Sequence, residues 1–321
     1  MARKQKFSIA LAALAICLAA ILGARANTPI KTPIKSAEQL PHSLSLVSLA
    51  PSNTELLLDT GAVKSIRGIC SNCQKVLPDG ARRLNGVPVT GTFVNVNLER
   101  LTGLKPDVVL LVSGQEAMAS MLKSRKFNVV MVNNDKVANI ANNLRQLGKL
   151  SHTADKANKL ADNFDQAVKK LSAIIGSSTQ KQKVFYCVWP QPLLTVGEKS
   201  FLHDIITRCG GINIAGNLSQ PYPQFSAERL VLADPDLVIL PYEAKAFPIF
   251  SRFPWNKLRA VKNHRLFYLP PPKDDMLSRP TLSALKGMYW LSVKIHPELK
   301  QQLDGWQSKY CGDSSALNQV D

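Results

Sequence analysis

The hydrophobic residues of this chain fall into short runs that are rich in Val, Ile and Leu. Residues typical of turns separate these runs. Such runs are typical of parallel strands that are covered on both faces. Segments between them carry apolar residues three and four positions apart, which predicts amphipathic helices. The alternation predicts an α/β fold, with strands at 44–49, 63–69, 128–132, 183–189 and 265–269 and helices at 54–61, 115–125, 136–148, 201–208 and 280–295.

Two segments of the chain have closely similar sequences. Residues 99–110 read Glu-Arg-Leu-Thr-Gly-Leu-Lys-Pro-Asp-Val-Val-Leu, and residues 228–239 read Glu-Arg-Leu-Val-Leu-Ala-Asp-Pro-Asp-Leu-Val-Ile. Each copy predicts a short helix, a turn at Pro106 or Pro235, and a buried strand. A helix-to-strand unit that is used twice, far apart, predicts two similar α/β lobes.

The segment between these copies has a different pattern. Its apolar residues follow a helical spacing and include Ala157, Leu160, Phe164, Val168, Leu171 and Ile175. Since neither Gly nor Pro interrupts 151–175, we predict one long, rigid helix at 151–177 rather than a flexible linker. This helix would join an N-terminal lobe at 44–150 to a C-terminal lobe at 178–321.

The N-terminus has the pattern of a secretory signal peptide. Basic residues precede an apolar run over 7–22, and an Ala-x-Ala site ends at Ala26. A single membrane anchor is the alternative, although the run is shorter than the ~20 residues of a usual span. We predict cleavage after 1–26, an extended leader at 27–43, a periplasmic location and an oxidising environment.

The chain is basic, and its composition is that of a globular protein. It has 321 residues, 45% hydrophobic and 20% charged, with a formal net charge of +17 that falls to about +13 without the signal. This charge favours anionic membrane surfaces or an acidic ligand. A nucleic-acid partner is not expected, since basic runs are short and the chain is exported.

Five cysteines remain after the signal. Cys70 and Cys73 form a Cys-x-x-Cys, which fits a local structural disulfide, a thiol redox site or half of a metal site. We prefer the structural disulfide, because the residues that follow are a poor helix start. Bridging Cys209 to Cys311 would tie the C-terminal tail to the second lobe. Cys187 is predicted to be a buried free thiol.

The sequence contains no catalytic constellation, and the five histidines are isolated. Aromatic residues in or next to loops are more informative: Phe93, Trp189, Tyr222 and Trp255. Aromatic residues at the ends of parallel strands commonly line ligand sites, with loop packing as the alternative. We therefore predict a binding protein, not an enzyme, with no cofactor and no metal.

Four segments together resemble a known family. They are Val47-Ser-Leu-Ala-Pro-Ser-Asn-Thr-Glu55, Asn97-Leu-Glu-Arg-Leu-x3-Lys-Pro-Asp107, Cys209-Gly-Gly-x-Asn213 and the closing Gln319-Val-Asp321. The chain is similar to the helical-backbone, class III periplasmic binding proteins that serve bacterial ABC importers of cobalamin, haem and iron–siderophores. The resemblance implies two Rossmann-like lobes with parallel sheets joined by one long helix, and a ligand held between the lobes without chemistry.

The resemblance also implies roles for individual residues. Glu99 and Glu228 match two glutamates that dock on arginines of the inner-membrane permease, which works with its ATPase. A helix-capping role is the alternative for both. Cys209 and Cys311 match a disulfide. The family's ligand pocket maps to Asn72, Phe93, Val112, Tyr222 and the loop with Asp274 and Asp275.

From this resemblance we expect a monomer that carries cobalamin or a related corrinoid. Phe93 and Tyr222 would stack on the ligand from opposite lobes, Trp189 would line the site, and Asp274 or Asp275 would hydrogen-bond its polar edge. Two alternatives are a haem or ferric-siderophore carrier of the same class and a periplasmic thiol oxidoreductase that uses Cys70 and Cys73.

Overall fold

The computed structural model describes residues 43–77, 80–270 and 273–312. The predicted signal peptide, nearly all of the leader and the closing Gln319-Val-Asp321 lie outside these residues. The chain divides into two units, of which the first runs to Asn134 and takes up Ala138–Asn163. The second takes Asp135–Val137 and the chain from Phe164 onward.

The first unit is built on a five-stranded parallel sheet. Its order is β3-β2-β1-β4-β5, so the chain starts in the middle and builds outward in both directions. Every residue of β1 and β4 is buried, which explains why all of them except Ser48 are apolar. The strands are β1 (Leu46–Ser48), β2 (Ile66–Cys70), β3 (Val89–Gly91), β4 (Val108–Val112) and β5 (Val129–Val132).

Helices connect these strands: α1 (Pro51–Asp59), α2 (Ser71–Val76), α3 (Gly80–Arg83), α4 (Leu98–Leu104), α5 (Glu116–Ser124) and α6 (Ala138–Leu150). The predicted start of the first helix at 54 is wrong. Helix α1 begins at Pro51, because the fixed φ of proline suits a first helical position and Ala50 is the N-cap. Asn53 instead donates its amide to the carbonyl of Leu111 at 3.3 Å.

The sequence predicts no helix or strand between the strand at 63–69 and the first copy of the repeat, but the structure has three short elements there. The segment contains α2, α3 and β3, each only three to six residues long. Elements of this length contain too few apolar positions to show a period in the sequence. Strand β3 is fixed by pairing with β2, a contact that local sequence does not reveal.

The second unit contains a mixed sheet. Strands β10, β9, β6 and β7 are adjacent in that order, and β8 also pairs with β6. The β6–β7 pair is antiparallel, so the expectation of two parallel sheets holds only for the first unit. The strands are β6 (Gln182–Pro190), β7 (Leu193–Thr195), β8 (Gly211–Asn213), β9 (Leu237–Pro241) and β10 (Leu266–Leu269).

The long helix α7 (Ala154–Ile175) lies within the range predicted for it, and its residues from Phe164 on belong to the second unit. The remaining helices are α8 (Phe201–Arg208), α9 (Ala227–Ala233), α10 (Arg259–Lys262), α11 (Lys273–Ser278), α12 (Ala284–Ile295) and α13 (Lys300–Tyr310). Helix α13 was not predicted, and it is anchored where Trp306 Nε1 donates to the carbonyl of Ala167 at 2.8 Å. No helix among the described residues is both long and apolar enough to cross a bilayer.

The two copies of the repeat form the same local structure. Asn97 and Ser226 cap α4 and α9 by accepting the N–H of the residue three positions later. The aspartate that follows each proline then accepts a backbone N–H from the strand start beside it. Asp107 accepts from Ser45 at 2.7 Å, and Asp236 accepts from Lys183 at 2.8 Å. The prediction of two similar units is therefore confirmed.

Candidate functional site

In the first unit, the candidate ligand residues lie just beyond the carboxyl end of β2. Cys70 ends β2 and is the N-cap of α2, and Asn72 is in the first turn of that helix. Asn72 Oδ1 accepts the backbone N–H of Phe93 at 3.4 Å. The structure therefore brings together two residues, Asn72 and Phe93, that the resemblance placed in the pocket.

Phe93 sits in a tight turn that follows β3. The N–H of Thr92 donates to the carbonyl of Asn95 at 2.7 Å, and Gly91 bridges to Val96 in antiparallel fashion. A side chain at Gly91 would collide with the backbone of Asn95, so only glycine allows this close approach. The turn leaves the Phe93 ring partly exposed at the carboxyl edge of the sheet.

Gln115 supports this turn from the N-cap position of α5, and sequence reasoning missed it. Its Nε2 donates to the carbonyls of Phe93 at 2.6 Å and Leu49 at 3.1 Å. Its Oε1 accepts the N–H of Val112 at 2.9 Å. The side chain is 4% exposed. One signal was available in the sequence, namely a polar amide between a buried strand and a predicted helix.

The Cys-x-x-Cys lies beneath this surface rather than on it. Cys70 and Cys73 are both fully buried, and their sulfurs are 3.1 Å apart, a hydrogen-bond contact rather than the ~2.05 Å of a disulfide. The Cys70 thiol donates to the Cys73 sulfur, which raises the pKa of Cys70 and lowers that of Cys73, and Thr54 contributes a further bond. Both cysteines are free thiols in the structure.

Two predictions about this pair need correction. The local disulfide is not formed in the structure, and the following residues do form a helix, with Cys73 in its first turn. A thiol oxidoreductase needs an exposed sulfur at such a position. Because both sulfurs are buried, the geometry does not support the oxidoreductase alternative.

The second predicted bridge, between Cys209 and Cys311, is not formed either. Both are free thiols, and Cys209 Sγ is directed at the carbonyl of Met288, 3.5 Å away. Burial raises the pKa of each thiol to about 12. Cys187 is a buried free thiol, as predicted.

In the second unit, Trp189 lies near the carboxyl end of β6. Its Nε1 donates to the carbonyl of Gln191 at 2.9 Å, and its ring meets the edge of Phe247 with centroids 5.9 Å apart. The ring remains partly exposed. Trp189 therefore has the position predicted for a ligand-lining residue, with an aromatic neighbour that the sequence did not indicate.

Tyr222 lies on a segment that runs beside β7. Backbone N–H groups of Thr195 and Gly197 donate to the carbonyls of Pro223 and Pro221, both at 3.0 Å. A side chain on Gly197 would overlap the carbonyl of Gln220, so glycine is required for this pairing. Tyr222 is partly exposed, and the segment that carries it is held by these backbone hydrogen bonds to β7 and the residues after it.

A cluster of aromatic residues and one lysine follows β9, and sequence reasoning missed it. Lys245 Nζ lies 4.4 Å from the ring centroid of Tyr242 and 5.4 Å from that of Tyr268. These residues come from the turn after β9 and from β10. No motif signals such a cluster, because β9 and β10 are brought together only by the sheet.

The predicted acidic loop at 270–280 is helical over α11. Asp275 forms an ion pair of 2.7 Å with Arg279 one turn later, and Arg279 is 9% exposed. Since this carboxylate already has a partner, its expected role toward a ligand is not supported. The side chain of Asp274 lies outside what the structure describes.

The two glutamates of the repeat are exposed in the first turns of α4 and α9. The backbone N–H of Glu228 and the side chain of Ser226 lower the pKa of Glu228. Leu232 is one turn further along α9 and is 84% exposed. Each unit thus presents one carboxylate to solvent on an equivalent helix.

The assembled features are those of a binding surface. Partly exposed aromatic rings occur at carboxyl ends of strands in each unit. Among the described residues, no group of three or more His, Cys, Asp or Glu side chains could hold a metal ion. The arrangement supports stacking and hydrogen bonding to a ligand.

Known proteins are similar to this chain in sequence and in fold. A vitamin B12-binding protein of Vibrio parahaemolyticus is 25% identical over 245 residues, which is 76% of this chain and 86% of that protein. The periplasmic vitamin B12 binding protein of Vibrio cholerae superposes with a TM-score of 0.68 at 22% identity, covering 83% of this chain and 99% of that one. The periplasmic heme-binding protein of Roseiflexus sp. RS-1 superposes with a TM-score of 0.66 at 15% identity, over 80% and 99% of the two chains.

The profile of the periplasmic binding protein family matches residues 46–272, most of the chain. Proteins of this family bind solutes and are not enzymes. The two five-stranded units match structures of its class III members. The chain therefore belongs to the periplasmic binding protein family, as a substrate-binding protein of the ABC-importer class that serves vitamin B12, siderophores and haem.

Proposed function

We propose that this protein captures cobalamin or a related corrinoid in the periplasm, as a monomer, and delivers it to an ABC importer. The observation that carries this proposal is the alignment with a vitamin B12-binding protein over 245 residues. The partly exposed aromatic residues at the strand ends support it, because a corrin ring offers a broad apolar face for stacking.

Within this proposal, each unit supplies side chains to the ligand. Phe93 stacks on one face of the macrocycle, with Asn72 and Gln115 fixing its backbone. Tyr222 and Trp189 supply the aromatic contacts of the second unit. Asp274 remains a proposed hydrogen-bond partner, whereas Asp275 would first have to leave Arg279.

The exposed Glu99 and Glu228 are proposed to dock on arginines of the inner-membrane permease. Their exposure on equivalent helices of the two units supports this role, because arginines of a partner protein can reach both carboxylates. Charge-assisted pairs between arginine and carboxylate suit such a contact.

Calorimetric titration of the purified mature protein with cobalamin tests the proposal. We expect saturable binding at one site and a raised melting temperature in the presence of ligand. Absence of both heat and thermal shift at saturating cobalamin would contradict it.

A haem or a ferric siderophore is the second candidate cargo. The positive charge of the chain without its signal, about +13, and the exposed cation at Lys245 favour it, since these ligands are anionic. Exposure of the protein to haem and to ferric chelates, followed by gel filtration and absorbance, distinguishes the two candidates. A retained absorbance band with these ligands, together with no cobalamin binding, would favour the second candidate.

A further inference from the structure

We infer that Lys245, held between Tyr242 and Tyr268, is an anion-binding residue in the cargo site of the second unit. Its ligand is an anionic oxygen group, a phosphate diester or a carboxylate, that a macrocyclic cargo carries at its edge. The inference rests on the proposed function, because it requires that a cargo binds at the carboxyl edge of this sheet.

The position of Lys245 follows from the register of the sheet. Strand β9 ends at Pro241, and Tyr242–Ala246 forms a turn of 3-10 helix immediately after it. Tyr268 pairs with Leu240, so it lies at the carboxyl end of the neighbouring strand β10. Lys245 therefore sits at the edge where ligands bind in parallel α/β sheets.

The third neighbouring strand places further aromatic groups at the same edge. Tyr186 of β6 pairs with Ile239 of β9, and Trp189 and Tyr242 each follow three residues later. The ring of Trp189 contacts Phe247, which comes two residues after Lys245. The cation thus lies against the rings of Tyr242 and Tyr268, and three adjacent strands bring aromatic residues to this edge of the sheet.

No carboxylate that the structure describes neutralises the charge on Lys245. Among the described residues, no ion pair includes Lys245, and the residue is exposed. By contrast, Arg259, which lies beside the amino end of β9, is paired with both Asp234 and Asp236. Ring faces stabilise an ammonium group without neutralising it. The lysine is therefore held in place and still able to attract an anion.

The tyrosines do not compete with a ligand for this charge. Burial raises the pKa of Tyr268, so its hydroxyl stays neutral and remains a hydrogen-bond donor. A flat ligand that packs on the exposed ring of Tyr242 would place an anionic substituent within reach of Nζ. Lys245 thereby selects cargo that carries such a substituent.

Corrinoids offer a direct test, because cobalamin carries a phosphate diester in its nucleotide loop and cobinamide lacks that loop. We compare the wild type with Lys245→Gln in calorimetric titrations of both. The variant should bind cobalamin about tenfold more weakly and cobinamide within about twofold of the wild type. Lys245→Arg, which keeps the charge, should stay within a few-fold for both.

Lys309→Gln is the matched control. Lys309 also stacks on a tyrosine of the second unit, 5.3 Å from the centroid of Tyr310, but it lies on α13. Its removal should change neither affinity. Melting temperatures of all variants show whether the fold is kept. If Lys245→Gln lost affinity equally for both corrinoids, or for neither, the inference would be overturned and the proposed function would stay intact.

Haem and its dimethyl ester form the second arm, because esterification removes the two carboxylates. If the wild type binds haem and no corrinoid, the corrinoid proposal fails. The inference then stands if Lys245→Gln weakens the binding of haem and leaves the binding of the ester unchanged. It fails if the affinity for both ligands changes to the same extent. A wild type that binds none of the four macrocycles overturns both.

Discussion

The side-chain amide of Gln115 donates a 2.6 Å hydrogen bond to the backbone carbonyl of Phe93. The same amide also hydrogen-bonds the carbonyl of Leu49 and the N–H of Val112. One buried residue therefore links the ends of two central strands to the candidate ligand turn. A ligand that stacks on Phe93 would meet a ring whose backbone is fixed before binding. Preorganisation of this kind lowers the entropic cost of binding.

Replacing Gln115 by leucine should weaken both stability and ligand binding. The change leaves three backbone groups without a partner, of which each buried one costs about 1–3 kcal/mol, so we expect a loss of at least about 2 kcal/mol. Urea unfolding and cobalamin titration measure the two effects. Gln74→Leu is the control, since Gln74 makes a single 3.4 Å bond to Leu84. Equal effects of the two variants would contradict the role of Gln115.

Reversal of both Glu99 and Glu228 to lysine should abolish transport and preserve ligand affinity. Like charges facing the permease arginines should reduce uptake by more than about tenfold. The control is the double reversal of Glu116 and Glu198, which are exposed on the first and second unit, respectively. Uptake into whole cells and ligand titration are measured in parallel. Parallel loss of ligand affinity in the Glu99/Glu228 variant would show that these residues belong to the ligand site instead.

Asp59 should make the stability of the protein depend on pH. Burial, followed by the charge of Glu55, raises the pKa of Asp59 to about 7, although Arg83 and Lys156 oppose the rise. The folded state therefore binds this proton more tightly than the unfolded state. The contribution of Asp59 to stability falls as the pH rises from about 4 to about 7 and is constant above that range.

Asp59→Asn should remove this dependence. We expect the variant to be more stable than the wild type at about pH 8, by on the order of 2 kcal/mol, and nearly equal to it at about pH 4. Urea unfolding at several pH values measures this difference in the free energy of unfolding. Asp155→Asn, at an exposed aspartate of α7, is the control and should leave the pH profile unchanged. A wild-type profile that rises between pH 4 and 7, with no flattening in Asp59→Asn, would contradict this account.

The repeated aspartates should matter for folding rather than for binding. Asp107 accepts bonds from both the backbone N–H and the hydroxyl of Ser45, each at 2.7 Å. Asp107→Ala should therefore lower the free energy of unfolding by about 1–3 kcal/mol. Asp162→Ala is the control, because Asp162 is 70% exposed in its ion pair with Arg145 and should cost less than about 1 kcal/mol. Chemical unfolding distinguishes them, and equal costs would contradict the role of Asp107 at the start of the strand.

The sequence was sufficient to predict the two α/β units, because buried parallel strands and amphipathic helices leave distinct periods. Helix α8 was predicted at its observed bounds, since Ser200 provides a cap before an amphipathic segment. The place of Phe93 in the ligand pocket and the docking role of Glu99 and Glu228 were predicted from the family resemblance alone. Periodicity alone would have left Glu99 and Glu228 as first-turn carboxylates.

The remaining site residues depend on contacts between segments that are distant in sequence. Gln115 reaches Leu49 across 66 positions, and Tyr268 meets Lys245 only because β10 pairs with β9. The antiparallel β7 depends on a return of the chain after Gln191, which a three-residue strand is too short to signal. Asp275 was predicted as a hydrogen-bond partner of the ligand, whereas the helical spacing of α11 pairs it with Arg279.

The most direct test of the account is a paired titration of cobalamin into Phe93→Ala and Phe127→Ala. Phe93 lies beyond the carboxyl end of β3, whereas Phe127 is also partly buried but precedes the amino end of β5. We predict that the wild type and Phe127→Ala bind cobalamin with similar affinity and that Phe93→Ala binds at least about tenfold more weakly. Absence of cobalamin binding to the wild type, or equal affinity of the two variants, would contradict the account.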